Sequence, residues 1–438
     1  MIVNIIGAGL AGCECAYILA KNNIKVKLYE MKPNKKSAAH TSNDFAELVC
    51  SNSLKSSAIT NACGLLKEEM RRLDSLVIEA ADKTRVEAGQ ALAVNREEFA
   101  KYITDKIKEN ENIEVVYEEV VDISKFNEDE IVVIATGPLT SDDLSKNIMS
   151  FLGQEGLYFY DAAAPIVTKE SLDIDKVYKM DRYGEVGTGD YLNAAMSEEE
   201  YNNFFNLLVN AESADRHDFD KLEFFEGCMP IEEMARRGDK TLLFGPLKPV
   251  GLRKDGEHRP HAVLQLRVED KEETMYNLVG FQTSLKFKEQ EKVFRSIPGL
   301  ENAEFVRYGV MHRNTYINAP KVLDNKFNMK EYKNIYFAGQ ISGVEGYVES
   351  AASGLMVGYN IMCRLLEKNI EWKETTMLGS LAKHVSGENK DYQPMNANFG
   401  IIAKLDKKIK DKKLKYELYA KRSLEDIEVL INELKGAR

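Results

Sequence analysis

Two of the six cysteines, Cys50 and Cys228, lie in sequence contexts that favour a reactive thiol. Cys50 is surrounded by serine and asparagine residues, and Lys55 follows it closely. Cys228 lies at a turn bounded by a glycine and a proline, and the pair Arg236 and Arg237 comes soon afterwards. Cations and polar neighbours favour the thiolate, which is the nucleophilic form of cysteine. The alternative at each position is a buried and inert thiol.

A glycine-rich segment near the start of the chain has the spacing of a dinucleotide site. Residues 7–12 read G-A-G-L-A-G, which is the G-x-G-x-x-G pattern, and an acidic residue follows at position 30. The first glycine permits a tight turn, the second lets the backbone approach a pyrophosphate, and the third allows close helix–strand packing. The acidic residue can accept a hydrogen bond from a ribose 2′-hydroxyl, which an ordinary glycine-rich turn would not require. The residues that we expect to contact the dinucleotide are Gly7, Ala8, Gly9, Leu10, Ala11, Gly12 and Glu30.

A strand, a helix and a second strand must position this motif. Residues 2–6 are mostly apolar, residues 13–21 have a helical pattern, and residues 25–30 predict a second strand that ends at the acid. The N-terminus of the helix offers free N–H groups and the positive end of its dipole to phosphate groups.

The same α/β pattern continues and then returns late in the chain. A strand predicted at residues 131–135 runs into A-T-G, and a late strand at 334–337 runs into A-G-Q, before a helix that starts near residue 347. A late strand that ends in this way is similar to the strand beside the flavin in glutathione-reductase-like flavoproteins. The residues that we expect at these strand and helix ends, beside the cofactor, are Thr136, Gly137, Gly339, Gln340 and Tyr347.

The part of the chain between these α/β segments has a different character, with shorter strand-like runs and aromatic clusters. We interpret the fold as α/β, with a glutathione-reductase-like FAD-binding Rossmann domain and an inserted α+β domain. Residues 1–154 and 306–438 are predicted to form the FAD-binding domain, the second part ending in a basic and helical segment, and residues 155–305 form the insertion. A single G-x-G-x-x-G favours resident FAD over a free-standing NAD dehydrogenase.

Composition and charge limit the possible functions. The chain has 438 residues, of which 44% are hydrophobic and 29% are charged, as is typical of soluble globular proteins. It has neither an apolar run of about 18 residues nor a signal-peptide pattern, so we expect a cytoplasmic protein with no membrane contact. The net charge of −11 argues against a nucleic-acid partner. However, residues 404–416 contain seven lysines and only two aspartates. This segment is either a solvated helix face or a local basic patch.

Long stretches of the chain resemble the bacterial folate- and FAD-dependent tRNA (uracil-5-)-methyltransferases, the TrmFO family, which is related to the GidA-type flavoproteins. These stretches lie at residues 46–53, 225–232, 244–251, 307–314, 343–354 and 393–399. They are spread over nearly the whole chain, and both cysteines and the glycine motif agree with the family pattern.

The resemblance implies an enzyme that forms 5-methyluridine at position 54 of the tRNA T-loop. The carbon comes from 5,10-methylenetetrahydrofolate, reduced FAD supplies electrons, and NAD(P)H reduces the flavin again. The family pattern makes Cys228 the thiolate that adds to carbon 6 of uracil and so activates carbon 5. It places Cys50 beside the flavin, where the residue assists proton transfer or protects a flavin-bound one-carbon intermediate. Tyr347 either stacks on folate or flavin or is a core residue.

The partner implied by the resemblance is tRNA, with no obligate protein partner evident. Its phosphates would contact lysines of residues 404–415 and Arg236, Arg237 or Arg253. Four other hypotheses stay open: the same chemistry on a ribosomal RNA uridine, GidA-type modification of a tRNA wobble uridine, an FAD oxidoreductase for a small molecule, and a non-enzymatic RNA-binding flavoprotein.

Overall fold

The computed structural model describes residues 2–37, 39–153, 157–214, 229–253, 259–387, 392 and 394–435, with residues 157–162, 312 and 313 described in their backbone only. Within these ranges, no helix combines the length and the apolar composition that a membrane span requires.

The strands and helices of the described residues follow one another in a mixed α/β order. The strands are β1 (Ile2–Ile6), β2 (Lys25–Tyr29), β3 (Ser53–Ser56), β4 (Arg85–Val86), β5 (Ala91–Val94), β6 (Ile113–Val116), β7 (Ile131–Ile134), β8 (Leu157–Ala162), β9 (Ile166–Thr168), β10 (Val177–Lys179), β11 (Tyr191–Met196), β12 (Ala262–Val268), β13 (Met275–Leu278), β14 (Phe305–Arg307), β15 (Met311–Tyr316) and β16 (Ile335–Phe337). The helices are α1 (Leu10–Lys21), α2 (Ala62–Arg72), α3 (Leu76–Lys83), α4 (Arg96–Lys108), α5 (Asp142–Leu152), α6 (Glu198–Asn210), α7 (Ile231–Arg236), α8 (Thr241–Phe244), α9 (Phe287–Phe294), α10 (Ala319–Val322), α11 (Tyr347–Leu365), α12 (Met377–Ser386) and α13 (Lys412–Lys435).

The first sheet has five parallel strands in the order β16-β7-β1-β2-β6. Strands β1, β7 and β16 are short apolar runs that are almost entirely buried, as expected for a parallel sheet covered on both faces. The chain leaves this sheet after β7 and returns to it with β16, which pairs with β7. This arrangement confirms the predicted α/β fold class.

The second sheet has six strands in the order β10-β11-β12-β13-β9-β14, and all its neighbours are antiparallel. Its core is completed by apolar side chains of α6, α7 and α9. Val86, Ala88 and Ala93, which precede the predicted insertion, also pack in this core. The division into residues 1–154, 155–305 and 306–438 therefore stays a prediction about the sequence rather than a description of the packing.

Helices α1 and α11 pack closely because α11 carries glycines where the two helices meet. A Cβ atom on Gly354 would lie 2.1 Å from the carbonyl oxygen of Ala11, and one on Gly358 would lie 3.0 Å from the Cβ atom of Ile18. The close approach fixes the N-termini of both helices on the same side of the first sheet.

Two buried carboxyl groups connect distant helices. Glu14 of α1 accepts hydrogen bonds at the N-terminus of α3, at 2.8 Å from the Val77 nitrogen, and Glu69 of α2 does the same for α12, at 2.8 Å from the Met377 nitrogen. Burial raises the pKa of each carboxyl group to about 7, although these hydrogen bonds act in the opposite direction.

Candidate functional site

A cavity of about 440 Å³ lies at the carboxyl ends of the strands of the first sheet. Residues that follow each of its five strands line the cavity, and the N-termini of α1 and α11 open into it. Ligands of open α/β sheets bind at this edge, where loops and helix N-termini converge. The cavity is therefore the candidate functional site.

The structure brings nearly all of the sequence-predicted cofactor residues to this cavity. Cys50 lines it too, whereas Gly12 lies outside the lining. The predicted cofactor residues in the lining are Gly7, Ala8, Gly9, Leu10, Ala11, Glu30, Thr136, Gly137, Gly339, Gln340 and Tyr347.

The three glycines of the motif differ in what surrounds them. Gly7 has a φ of +99°, and a Cβ atom there would lie 2.7 Å from the carbonyl oxygen of Ala135. A Cβ atom on Gly12 would lie 1.9 Å from the carbonyl oxygen of Gly7, so Gly12 permits the helix to pass close to the turn. A Cβ atom on Gly9 would meet no atom within 4 Å. The space beside Gly9 is open to a ligand, while the other two glycines serve the fold.

Glu30 holds the glycine-rich turn from the end of β2. Its carboxylate accepts hydrogen bonds from the backbone nitrogens of Ala8 at 3.0 Å and Lys32 at 2.9 Å. Each carboxylate oxygen has a further lone pair, so the buried group still has acceptor capacity toward the cavity that it lines. Glu30 therefore combines a structural role with the capacity to accept a hydrogen bond from a ligand hydroxyl.

The hydroxyl group of Tyr347 is bonded to the loop that carries Cys50. It accepts hydrogen bonds from the backbone nitrogens of Cys50 at 2.6 Å and Ser51 at 3.2 Å. Burial raises the pKa of this phenol well above its ordinary value, so the group stays neutral. Tyr347 thus connects the start of α11 with a half-buried cysteine on the cavity wall.

Two arginines to which no sequence motif gave a role lie beside the Cys50 loop. Arg96 donates to the carbonyl oxygen of Leu48 at 3.1 Å, and Arg307 donates to that of Val49 at 2.5 Å. Burial, reinforced by the nearby Arg96, lowers the pKa of Arg307. Lys55, the cation that the sequence suggested for Cys50, also lines the cavity, and its Nζ atom lies 3.7 Å from Oε1 of Glu349 in α11.

Cys228, the predicted nucleophile, lies outside the described residues. The first described residues after it contact the cavity wall. The backbone nitrogen of Ile231 donates a hydrogen bond at 2.7 Å to the carbonyl oxygen of Gln282, a residue that lines the cavity. Arg236, which the sequence suggested as a partner for the thiolate, forms an ion pair with Glu233 on the same helix.

The lysine-rich segment is not a single helix face. Residues 404–411 precede the helix, and α13 begins at Lys412. Six of the segment's seven lysines are exposed, and Lys415 is half-buried. Arg236, Arg237 and Arg253 are exposed as well, so each of these predicted phosphate contacts is accessible from solvent.

Comparison with known proteins gives consistent matches over most of the chain. A family model described as glucose inhibited division protein A matches residues 2–369. The methylenetetrahydrofolate–tRNA-(uracil-5-)-methyltransferase TrmFO of Staphylococcus epidermidis is 56% identical over 428 residues, which are 97% of each chain. The protein of that name from Acetivibrio thermocellus is 55% identical over 98% of this chain and 99% of its own length.

Solved structures show the same fold at much lower sequence identity. Aquifex aeolicus GidA aligns with 99% of this chain and 75% of its own chain, with a TM-score of 0.68 and 19% identity.

Proposed function

This chain belongs to the GidA family and, within it, to the TrmFO methyltransferases, and from that membership we propose that it is a methylenetetrahydrofolate–tRNA-(uracil-5-)-methyltransferase. The observation that carries the proposal is the identity of 55–56% to TrmFO proteins over nearly the full length of both chains. The substrates are 5,10-methylenetetrahydrofolate and tRNA, and the product is 5-methyluridine.

The residues around the cavity fit FAD. The open space beside Gly9 and the N-terminus of α1, which has no side-chain cap, suit a pyrophosphate, and Glu30 suits a ribose hydroxyl. When bound and reduced, FAD would supply the two electrons that convert the transferred methylene group into a methyl group. Thr136, Gly137, Gly339 and Gln340 lie at neighbouring strand ends and would complete the wall around the cofactor.

The chemistry requires a nucleophile, because carbon 5 of uracil does not attack an electrophile readily. We assign this role to Cys228, whose thiolate would form a bond with carbon 6 and make carbon 5 nucleophilic. As carbon 5 bonds to the one-carbon unit, the bonds from that carbon to the folate nitrogens break and tetrahydrofolate leaves. Loss of the proton on carbon 5 and departure of the thiolate then restore the ring. The bonded position of Ile231 beside the cavity wall supports this assignment.

Cys50 and Tyr347 lie together in the cavity lining. The two backbone hydrogen bonds to Tyr347 and the arginine hydrogen bonds to Leu48 and Val49 hold the Cys50 loop in place. We assign Cys50 to proton transfer or to protection of the one-carbon unit from water. Both roles need a cysteine that is fixed at the cavity, and these contacts supply that.

We place the methyl group at position 54 of the T-loop, where the uridine must leave its stacked position to be reached, at a cost of a few kcal/mol. NAD(P)H would reduce the cofactor again, and the exposed lysines at 404–413 would bind tRNA phosphates. Because tRNA and folate coenzymes are the substrates, we also propose a cytoplasmic location.

The test is methylation of unmodified tRNA with labelled methylenetetrahydrofolate and chemically reduced flavin. We expect label at carbon 5 of uridine 54 and none in ribosomal RNA or at the wobble position. Cys228→Ala should give no product while it retains FAD. Cys363→Ala is the matched control, because Cys363 is buried in α11 away from the cavity lining.

The outcomes separate the hypotheses. Label in ribosomal RNA alone would show that ribosomal RNA, and not tRNA, is the substrate. Absence of label in any RNA would refute the proposal that the protein is an RNA methyltransferase. Product formed by Cys228→Ala would move the nucleophile elsewhere, first to Cys50.

A further inference from the structure

A second cavity, of about 1210 Å³, lies in the part of the molecule that is built on the six-stranded sheet. Among the described residues, the cations Lys240, Lys248 and Arg259 line it together with one carboxylate, Glu198. We call this cavity the basic groove. The three cations are exposed, and none of them forms an ion pair with a carboxylate of the described residues. The groove therefore presents positive charge that the described fold leaves available to a ligand.

An exposed aromatic ring lies in the lining of the basic groove. Phe244, at the end of α8, is 81% exposed. Such a ring leaves apolar surface in contact with water, and a flat ligand stacked on it would cover that surface. Lys240 precedes the same helix, Lys248 lies in the loop after it, and Arg259 lies shortly before β12. Three segments of the chain therefore bring cations and a ring face to one groove.

The loop that forms one wall of the groove is held in a fixed position. The hydroxyl group of Tyr178 donates to the carbonyl oxygen of Leu252 at 2.5 Å. Leu247 is fully buried in the core of the second sheet, and the backbone nitrogen of Val263 donates to its carbonyl oxygen at 3.1 Å. These contacts anchor residues 244–251, one of the stretches on which the family resemblance rests. A groove that is already formed loses little conformational entropy when a ligand binds.

The chain connects the basic groove closely with the predicted nucleophile. Ile231, three positions after Cys228, bonds to the wall of the first cavity, and α7, a four-residue link and α8 lead from there to Phe244. Two helices of this length and the link between them span at most about 30 Å. An RNA strand whose uridine enters the first cavity is long enough to pass along the groove as well.

Unpaired cations beside an exposed ring match a single-stranded nucleotide, which offers both a phosphate group and a free base face. A base inside a duplex is stacked on both sides and is not available to the ring. We propose that the basic groove binds unpaired nucleotides of the RNA substrate, with a base stacked on Phe244 and phosphates in contact with Lys240, Lys248 and Arg259. This inference rests on the proposed function and assigns part of its RNA-binding surface.

The first experiment measures, by fluorescence anisotropy, the affinity of the FAD-loaded protein for unmodified tRNA and for a single-stranded RNA oligonucleotide. Phe244→Leu keeps an apolar side chain but removes the ring, and we expect about 5- to 150-fold weaker binding of both RNAs. Phe244→Trp is the matched control, because its ring can still stack and should preserve the affinity. The exposure of Phe244 means that neither variant should lose FAD or melt at a lower temperature.

The salt dependence of binding tests the charges. Exchange of Lys240, Lys248 and Arg259 for glutamine should reduce the slope of log affinity against log salt concentration by about 2, because each contact with a single-stranded phosphate contributes about 0.7. Lys288→Gln is the control, since this exposed lysine of α9 lies outside the groove lining. Glu198→Gln should act in the opposite direction and strengthen RNA binding, because it removes a negative charge from the groove.

Methylation kinetics separate the groove from the reaction. Phe244→Leu should raise the KM for tRNA and leave kcat at saturating tRNA unchanged, because the groove touches none of the reacting atoms. Parent protein that methylates tRNA, with groove variants that bind it as tightly as the parent, would refute the groove and leave the proposed function standing. Parent protein that methylates no RNA would refute the proposed function, whereas loss of single-strand binding in Phe244→Leu would still support the groove.

Two further outcomes would overturn the inference. Equal losses of RNA affinity in Phe244→Leu and Phe244→Trp would refute the stacked base. Groove variants that keep their RNA affinity but lose affinity for polyglutamylated tetrahydrofolate would assign the cations to the carboxylates of the folate tail and refute the RNA contact.

Discussion

Alanine substitutions at Gly9 and Gly12 should separate cofactor binding from folding, although the two glycines lie only three positions apart. At Gly12 the new methyl carbon would lie 1.9 Å from the carbonyl oxygen of Gly7, more than an ångström inside van der Waals contact. Overpacking of this kind lowers the free energy of unfolding by up to about 3 kcal/mol. The better helix propensity of alanine offsets about 1 kcal/mol of that loss. We expect Gly12→Ala to lower the free energy of unfolding by about 2 kcal/mol.

At Gly9 the methyl group would meet no protein atom within 4 Å. Alanine is a poorer N-cap residue than glycine by about 1 kcal/mol, but it also restricts the unfolded chain, which offsets about 0.4–1 kcal/mol of that cost. The stability of the FAD-free protein should therefore fall by at most about 0.6 kcal/mol. The methyl group would occupy the space assigned to the pyrophosphate. A steric cost of about 1–3 kcal/mol corresponds to about 5- to 150-fold weaker FAD binding, and Gly9→Val should prevent retention of FAD.

The assay has two measurements on each variant: chemical unfolding of the FAD-free protein and titration of FAD followed by flavin fluorescence. Gly9→Ala should unfold at nearly the same denaturant concentration as the parent and bind FAD weakly. Gly12→Ala should unfold at a lower denaturant concentration than the parent. Equal destabilisation by both substitutions would refute the assignment of separate roles. A Gly9→Val protein that purifies with a full complement of FAD would refute the pyrophosphate site.

Three further predictions test other parts of the molecule. Tyr347→Phe leaves two backbone N–H groups without their acceptor, which costs about 1–3 kcal/mol. Amide hydrogen exchange at Cys50 should therefore accelerate about 5- to 150-fold while FAD remains bound. Unchanged exchange would contradict the contact. Burial raises the pKa of the Glu69 carboxyl group from 4.5 to about 7. Between these pH values the folded protein keeps a proton that the unfolded chain loses. The parent protein should therefore lose up to about 3 kcal/mol of stability as pH rises from 4.5 to 7. Glu69→Gln should therefore gain stability relative to the parent between pH 4.5 and 7, and a constant difference in chemical unfolding would refute the raised pKa. Exchanging Lys407 and Lys408 for glutamate should weaken tRNA binding and flatten its salt dependence without changing FAD content, and an unaltered salt slope would exclude this segment from the interface.

The part of the cavity wall around the glycine motif was predictable because its signals are local. The glycine motif, the acid that ends β2 and the strand ends at Thr136 and Gly339 each follow from a short stretch of sequence with a fixed geometry. The apolar runs of the strands also indicate a buried parallel sheet, but their order, β16-β7-β1-β2-β6, comes from the structure.

The neighbours of Cys50 could not be predicted in this way. Arg96 contacts this loop from 48 positions away and Arg307 from 258 positions away, and no periodicity in the sequence connects them. Lys55, which is near in sequence, has φ of +63° and pairs with Glu349 of α11. Side-chain contacts between distant elements depend on how the two cores pack against each other, and local patterns do not contain that information.

The wall of the cavity combines Gly7 with Asn396, residues near opposite ends of the chain. Translation at about 5–20 residues per second separates the synthesis of these two walls by roughly 20–80 seconds. During that time neither α11 nor the segment that contains Asn396 has been made. A fragment that ends before β16 would lack the strand that pairs with β7 and part of the cavity wall, so we expect the complete cavity to form only after these late segments are synthesised.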